Sequence, residues 1–257
     1  VAAGGSSIDA LGQFKLHTAL GPIGHAVNFT QSNLFMVIAG LLTLALLWYG
    51  MRPRALVPGR FQAAAEMVYD AWMSICIEQI GPEGRKYFPF IFTLFFFILL
   101  GNLLGIWPYN FTFTSHIMVT LALALFVVVM ATVVGLRRHG MHFFSYFLPA
   151  GVPLWLAPLL VPIEILSYLS RIISLSVRLF ANMMAGHVML EVFGAFVVML
   201  GGGAMLGGLH ALDFIPAAVS FLVDTALIGF ELLVGFLQAY VFAMLTCIYL
   251  HDAEHLH

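Results

Sequence analysis

Two long apolar stretches of this 257-residue chain, 152–200 and about 214–250, carry polar residues at helical spacing. In the first, Glu164, Ser167, Arg171, Ser174, Arg178 and Asn182 follow one another at steps of three and four. At about 100° per residue they share one narrow helix face. In the second, Ser220, Asp224, Glu231, Gln238 and Tyr249 do the same, and Asp224, Glu231 and Gln238 sit at strict sevens. The chemistry open to such a set is proton handling. Carboxylates and the imidazole of His187 can take up and release protons, whereas a guanidinium keeps its charge in any physiological setting. A plainer reading is that these groups pair with one another to hold two helices together. Against it, Arg171 and Arg178 share their face with a single carboxylate, Glu164, which lies one or two turns from Arg171 but fourteen residues from Arg178. A carboxylate from another chain is the simplest partner for Arg178. His187 lies off that face by well over 90°, so a merely hydrogen-bonded core histidine stays open for it.

The elements that must position these residues are membrane helices. Of the chain, 62% is hydrophobic and 9% charged, against roughly 25% charged in a soluble domain. This composition implies an all-α polytopic membrane protein forming one domain over 1–257. Spans are expected at 34–50, 87–107 and 117–136, the latter two of about the length a bilayer needs. The stretches 152–200 and 214–250 are too long to stand upright and must tilt, bend or re-enter. Pro149, Pro153, Pro158 and Pro162 favour an irregular or bent start to the former. The run Gly201-Gly202-Gly203 with Gly207-Gly208 reads as a flexible turn between the two. Between the first two spans, 61–80 places Gln62, Glu66, Asp70 and Glu78 on one side of an amphipathic helix. Its acidic face suits a protein partner better than anionic lipid.

Basic residues set the orientation. Arg52, Arg54, Arg60, Arg85 and Lys86 fall in one connection and Arg137 and Arg138 in another, while those near 108–115 and 201–213 have none. The positive-inside rule then puts the 1–32 segment and the N-terminus outside and the C-terminus inside. If the two long helices pair evenly about Gly207, facing residues have numbers totalling about 414. Arg178 then lies near the level of Gln238. His187 lies near Glu231, and Glu164 faces Tyr249 or Leu250 toward the inside. Three levels result: an outer carboxylate and imidazole, a central arginine, and an inner carboxylate.

Other reactive residues suggest less. Cys76 and Cys247 lie in apolar stretches without metal or disulfide spacing and read as packing residues. His251, His255 and His257 include i, i+4 spacing that could bind a metal, with a solvated tail as the plainer reading. Met183, Met184 and Met189 read as adaptable packing. The net charge of −2 and the absence of a basic stripe exclude nucleic acid as an expected partner. No phosphate-binding G-x-x-x-x-G-K-[ST] loop is present, so nucleotide binding is not expected, and no cofactor is called for.

The segment Ser174-Leu175-Ser176-Val177-Arg178-Leu179-Phe180-Ala181-Asn182-Met183-Met184-Ala185-Gly186-His187 closely resembles the signature of subunit a of F-type ATP synthases. Glu231 through Gln238-Ala239-Tyr240 to Ile248-Tyr249-Leu250-His251-Asp252-Ala253 resembles that family's last helix. Gly101–Pro108, Thr114-Ser115-His116 and Phe147–Pro153 extend the likeness. The resemblance implies that Arg178 is the family's essential arginine, Gln238 its last-helix glutamine and Glu164 its exit-side glutamate. Asn182, His187 and Glu231 match its intake-side polar residues, with the acid and imidazole arranged as in the mitochondrial and related bacterial branch. The roles of Asp224 and Arg171 stay open. The implied partners are a ring of c subunits, a b-type peripheral stalk, the catalytic head of the complex and membrane lipid. The implied location is an energy-transducing inner membrane, either bacterial plasma membrane or mitochondrial inner membrane.

On this reading the chain is not an enzyme by itself. Protons enter from outside along Asn182, Asp224, His187 and Glu231 to a ring carboxylate, ride the ring, and leave past Glu164 and Ser167. Coupling to sodium remains open because the ring largely sets the ion. His187 and Glu231 also form a pair that could take an inhibitory zinc ion. The alternative is a secondary proton or cation antiporter, although neither half of the chain repeats the other as such folds usually do. A scaffold that transports nothing would not need two aligned ionisable seams.

Overall fold

The computed structural model describes residues 30–50, 59–106, 112–140, 143, 156–205 and 211–255. Most of the 1–32 segment, Arg52, Arg54, Pro108, Pro149, Pro153, Gly207, Gly208 and His257 lie outside them. The described chain forms α1 (Gln31–Gly50), α2 (Arg60–Ile80), α3 (Gly84–Ile106), α4 (Ile117–His139), α5 (Ala157–Met205) and α6 (Ala211–Glu254). A short 3-10 turn, Phe113–Ser115, precedes α4. All but α2 are long and apolar enough to cross a membrane.

The all-α fold follows from uninterrupted apolar sequence, since a backbone inside lipid must satisfy its own hydrogen bonds. α5 has 49 residues, about 74 Å at 1.5 Å per residue, against a hydrocarbon core of about 30 Å. It therefore cannot stand upright within the core. One expectation about its ends needs correction, and the irregular or bent start expected from Pro149 and Pro153 lies outside the described residues. Pro158 falls in its first turn, where a missing N–H costs nothing, and Pro162 lies inside a continuous helix. Gly201, Gly202 and Gly203 are helical rather than a turn, because α5 runs on to Met205. Packing can outweigh the roughly 1 kcal/mol per residue by which glycine disfavours helix.

α6 is the centre of the bundle and packs on α2, α3, α4 and α5. Among its buried residues Gly235, Ala239, Ala243, Cys247 and Ala253 are small, which lets neighbouring backbones approach closely, while Phe242 and Leu250 fill the space between. α4 does likewise with Ala124, Ala131 and Gly135. Polar links fix the registers: Thr120 to Ser176 at 3.1 Å and Thr132 to Tyr168 at 2.6 Å join α4 to α5. α2 is more than a surface helix. Its acidic side, with Glu66, Asp70 and Glu78, is exposed, but Trp72, Cys76 and Ile80 are buried. Trp72 lies 4.5 Å from the Phe95 ring centre and 5.6 Å from that of Tyr240. Cys76 and Cys247 are both buried free thiols. Gly81, at φ 97°, ends α2 and donates its N–H to Ile77, a left-handed backbone that glycine adopts without strain.

At one end of the bundle a buried carboxylate ties three helix termini together. Glu254 of α6 accepts from the Tyr87 hydroxyl of α3 and pairs with Arg138 of α4. The His139 ring donates to the Glu254 carbonyl at 3.1 Å, and Arg138 reaches Glu83 at 3.5 Å. Arg85, Lys86 and Arg137 belong to this same end, as the neighbours of Tyr87 and Arg138 at those helix termini, and it is called the basic end below.

Candidate functional site

Between α5 and α6 the polar residues sort into levels. Toward the end away from the basic residues, His187 Nδ1 lies 3.4 Å from Glu231 Oε1, with 11% and 4% of the two side chains exposed. The helices can come this close because residue 186 is glycine: a Cβ there would stand 3.0 Å from Glu231 Oε1. The other ring nitrogen of His187, Nε2, lies 2.5 Å from the Thr112 hydroxyl. His187 thus points off the Arg178 face, as its helical angle requires, and meets α6 and the 3-10 turn instead. Glu191, one turn further along α5, is half-buried with one carboxylate oxygen shielded from solvent. His116, at the N-cap of α4 outside the spans, has its proton affinity lowered by burial. Burial thus favours its neutral form.

At the middle level Arg178 is exposed on the outer surface of α5. Ser167, Ser170, Ser174, Ala181 and Ala185 are exposed there too, a row of small side chains around one large cation. Among the described residues Arg178 makes no hydrogen bond or ion pair, with Gln238 or any other.

Toward the basic end, Arg171 Nη1 binds Asp252 Oδ2 at 2.9 Å, both about a quarter exposed. Its guanidinium stands 5.8 Å from the Tyr168 ring centre and 5.3 Å from that of Tyr249, within cation–π reach. This answers the open question of Arg171 and corrects one expectation. Arg171 finds its carboxylate on α6, and Tyr249 lies at the level of Arg171 rather than Glu164. The facing residues are therefore His187 with Glu231 and Arg171 with Asp252, so the register drifts from even pairing toward the basic end.

The remaining expected residues are not gathered into either cluster. Glu164 is half-buried near the start of α5 and Ser167 is exposed, its carbonyl accepting from Ser170 at 2.7 Å. Asn182 and Gln238 are half-buried. Asp224 lies two turns from Glu231, about 10 Å along the axis, with a shielded Oδ1 that has no hydrogen-bond partner among the described residues. Spacing gave no notice of Thr112, Glu191 or Asp252. For Thr112, the signal is buried Asn102 between two glycines, out of place in an apolar run. For Asp252, it is a carboxylate that faces Arg171 once the register is known.

The ATP synthase A chain family model matches residues 33–251. The chain belongs to this family. ATP synthase subunit a of Granulibacter bethesdensis is 61% identical over 251 residues, covering 98% of both chains. The protein of the same name from Gluconacetobacter diazotrophicus is 59% identical over the same length and share. That of Rhodospirillum rubrum is 50% identical over 91% of this chain and 92% of its own. Within this ATP synthase A chain family member, the Arg178 row, the His187–Glu231 pair and the Thr112 turn all fall inside the matched residues. Asp252 and Glu254 lie just beyond them.

Proposed function

We propose that the chain is the proton-translocating stator of an F-type ATP synthase, sited in an energy-transducing membrane with its N-terminus outside. It provides two aqueous half-channels to the carboxylates of a c-subunit ring and is held by a b-type stalk against the catalytic head. The observation that carries this reading is Arg178: an exposed guanidinium among small side chains, without a carboxylate partner among the described residues. A charge at bilayer depth costs about 2.5 to 3.5 kcal/mol on insertion scales and calls for a partner. Small neighbours let another helix reach it.

Protons enter at the His187–Glu231 level, with Asn182 and Asp224 on the approach, and pass to a ring carboxylate. They leave past Glu164 and Ser167 at the basic end, which faces inward. Arg178 favours the ionised form of each arriving carboxylate. It cannot release its own proton, so it blocks a direct leak between the half-channels. Gln238 accompanies it on α6. Each proton delivers about 2.3 kcal/mol per 100 mV, turned into rotation because only a neutral ring site can face lipid.

Arg178→Ala should abolish ATP-driven proton pumping in inverted vesicles while the complex still assembles. Arg178→Lys should not restore it, because a lysine in that position can deprotonate. Pumping at wild-type rate in the lysine variant would overturn the role. A cysteine at 178 should also crosslink to a ring helix bearing a cysteine beside its carboxylate.

A further inference from the structure

We infer that Thr112 is a positioning residue for the His187–Glu231 pair: set against Gly105 at the start of a turn cradled by Gly101, Asn102 and Gly105, its hydroxyl takes the ring nitrogen that His187 turns away from Glu231 and holds the imidazole against the carboxylate. The inference rests on the proton-handling reading of that pair.

The cradle is one face of α3, since residues 101, 102 and 105 lie together at helical spacing. An added Cβ at Gly105 would stand 2.6 Å from Thr112 Cβ and overlap its hydroxyl, and one at Gly101 would overlap the Phe113 ring. Even alanine is too large at either position without moving the turn. Between the glycines, Asn102 is wholly buried. It accepts from the Thr114 hydroxyl at 2.9 Å and donates to the Gly235 carbonyl of α6 at 2.9 Å. Ser115 Oγ closes the turn on the Thr112 carbonyl at 2.6 Å. Thr112, Phe113, Thr114 and Ser115 are all buried. The turn is therefore pinned to α3 and, through Asn102, to the helix that carries Glu231.

Left alone, an imidazole on a long helix turns about two side-chain bonds, and a ring flip would take Nδ1 away from Glu231. The 2.5 Å contact from Thr112 to Nε2 opposes that flip. A hydroxyl can donate or accept, so it serves both neutral tautomers. With Nε2 accepting, Nδ1–H points at an ionised Glu231; with Nε2–H donating, Nδ1 can accept from a protonated one. The partner on the far nitrogen is what sets the ring's orientation. Thr112 supplies it without fixing the direction of proton transfer.

The test uses the whole ATP synthase complex in liposomes, with ATP synthesis driven by an imposed pH gradient and the pH varied on each side in turn. Thr112→Val should slow synthesis about tenfold, the lower range for loss of a partner that orients a functional histidine. It should also shift the dependence on outer pH while leaving the inner dependence in place. Thr112→Ser, which keeps the hydroxyl, should restore both. Should the valine variant fail to assemble, Thr112→Ala removes the hydroxyl without adding bulk and is read in the same way. A variant without the hydroxyl that matches wild type overturns the inference. So do equal losses in the serine and hydroxyl-free variants with an unshifted pH profile, which would mean packing alone. Glu231→Gln separates the two readings. If it slows synthesis while Thr112→Val does not, only the positioning role falls; if it leaves synthesis at the wild-type rate, the proton path through the pair falls and the positioning role with it.

Discussion

An imidazole and a carboxylate at 3.4 Å, nearly shut off from solvent, form a pair of donors that zinc also accepts. Zinc applied from the outer face should therefore inhibit proton flow, while zinc confined to the inner face should do much less. His187→Ala or Glu231→Gln should weaken the inhibition, and combining them should cost less than the two single effects together, since contacting groups are not additive. Measured as half-inhibitory concentrations, equal inhibition from both faces would move the path to Asp224 and Asn182. The closeness of this pair was legible in the sequence, because two antiparallel helices reversing near residue 207 bring those numbers to one level. The Thr112 contact was not, since a turn meeting a helix 75 residues away leaves no periodicity. Nor was Arg171 with Asp252, where an error of a few residues in the reversal changes which side chains face each other.

The order and character of the helices were plain in the apolar runs, and their ends were not. α3 begins at Gly84, taking Arg85 and Lys86 into a helix whose apolar run starts only at 87. α4 runs past Leu136 through Arg137, Arg138 and His139, cations that suit a helix C-terminus. Hydropathy does not register such charged last turns, although packing and the helix dipole favour them. The termini are then held by Glu254, buried between Tyr87 and Arg138. Glu254→Ala should leave the Tyr87 hydroxyl without its acceptor and Arg138 without its nearest carboxylate. A cost of about 2 kcal/mol is expected, in the range for hydrogen bonds to charged groups. It should appear as a lower melting temperature of the detergent-solubilised complex. Tyr87→Phe should lower it less, because the Arg138 pairing survives. An unchanged melting temperature in Glu254→Ala would show that the helix ends are held by apolar packing instead.

For the whole molecule, the levels between α5 and α6 have functional meaning only if they open to opposite faces of the membrane. The positive-inside argument places the basic end inward, and α5 and α6 both run the full distance between the two ends. A cysteine at Ser167, exposed on α5 one turn from Glu164, should react with a membrane-impermeant charged thiol reagent added to the inner face only. A cysteine at Ser220, one turn from Asp224 on the opposite half of α6, should react from the outer face only. The native thiols should contribute little background, because Cys76 and Cys247 are both fully buried where α2 meets α6. The reagent needs a water-filled route, since a charged group does not cross hydrocarbon at useful rates. Labelling of both positions thus reports two aqueous half-channels as well as their direction. Reaction of the Ser167 variant from the outer face would reverse the orientation drawn from the arginines. Reaction of either variant from both faces would mean a continuous pore, with no barrier at Arg178 to force protons onto a ring.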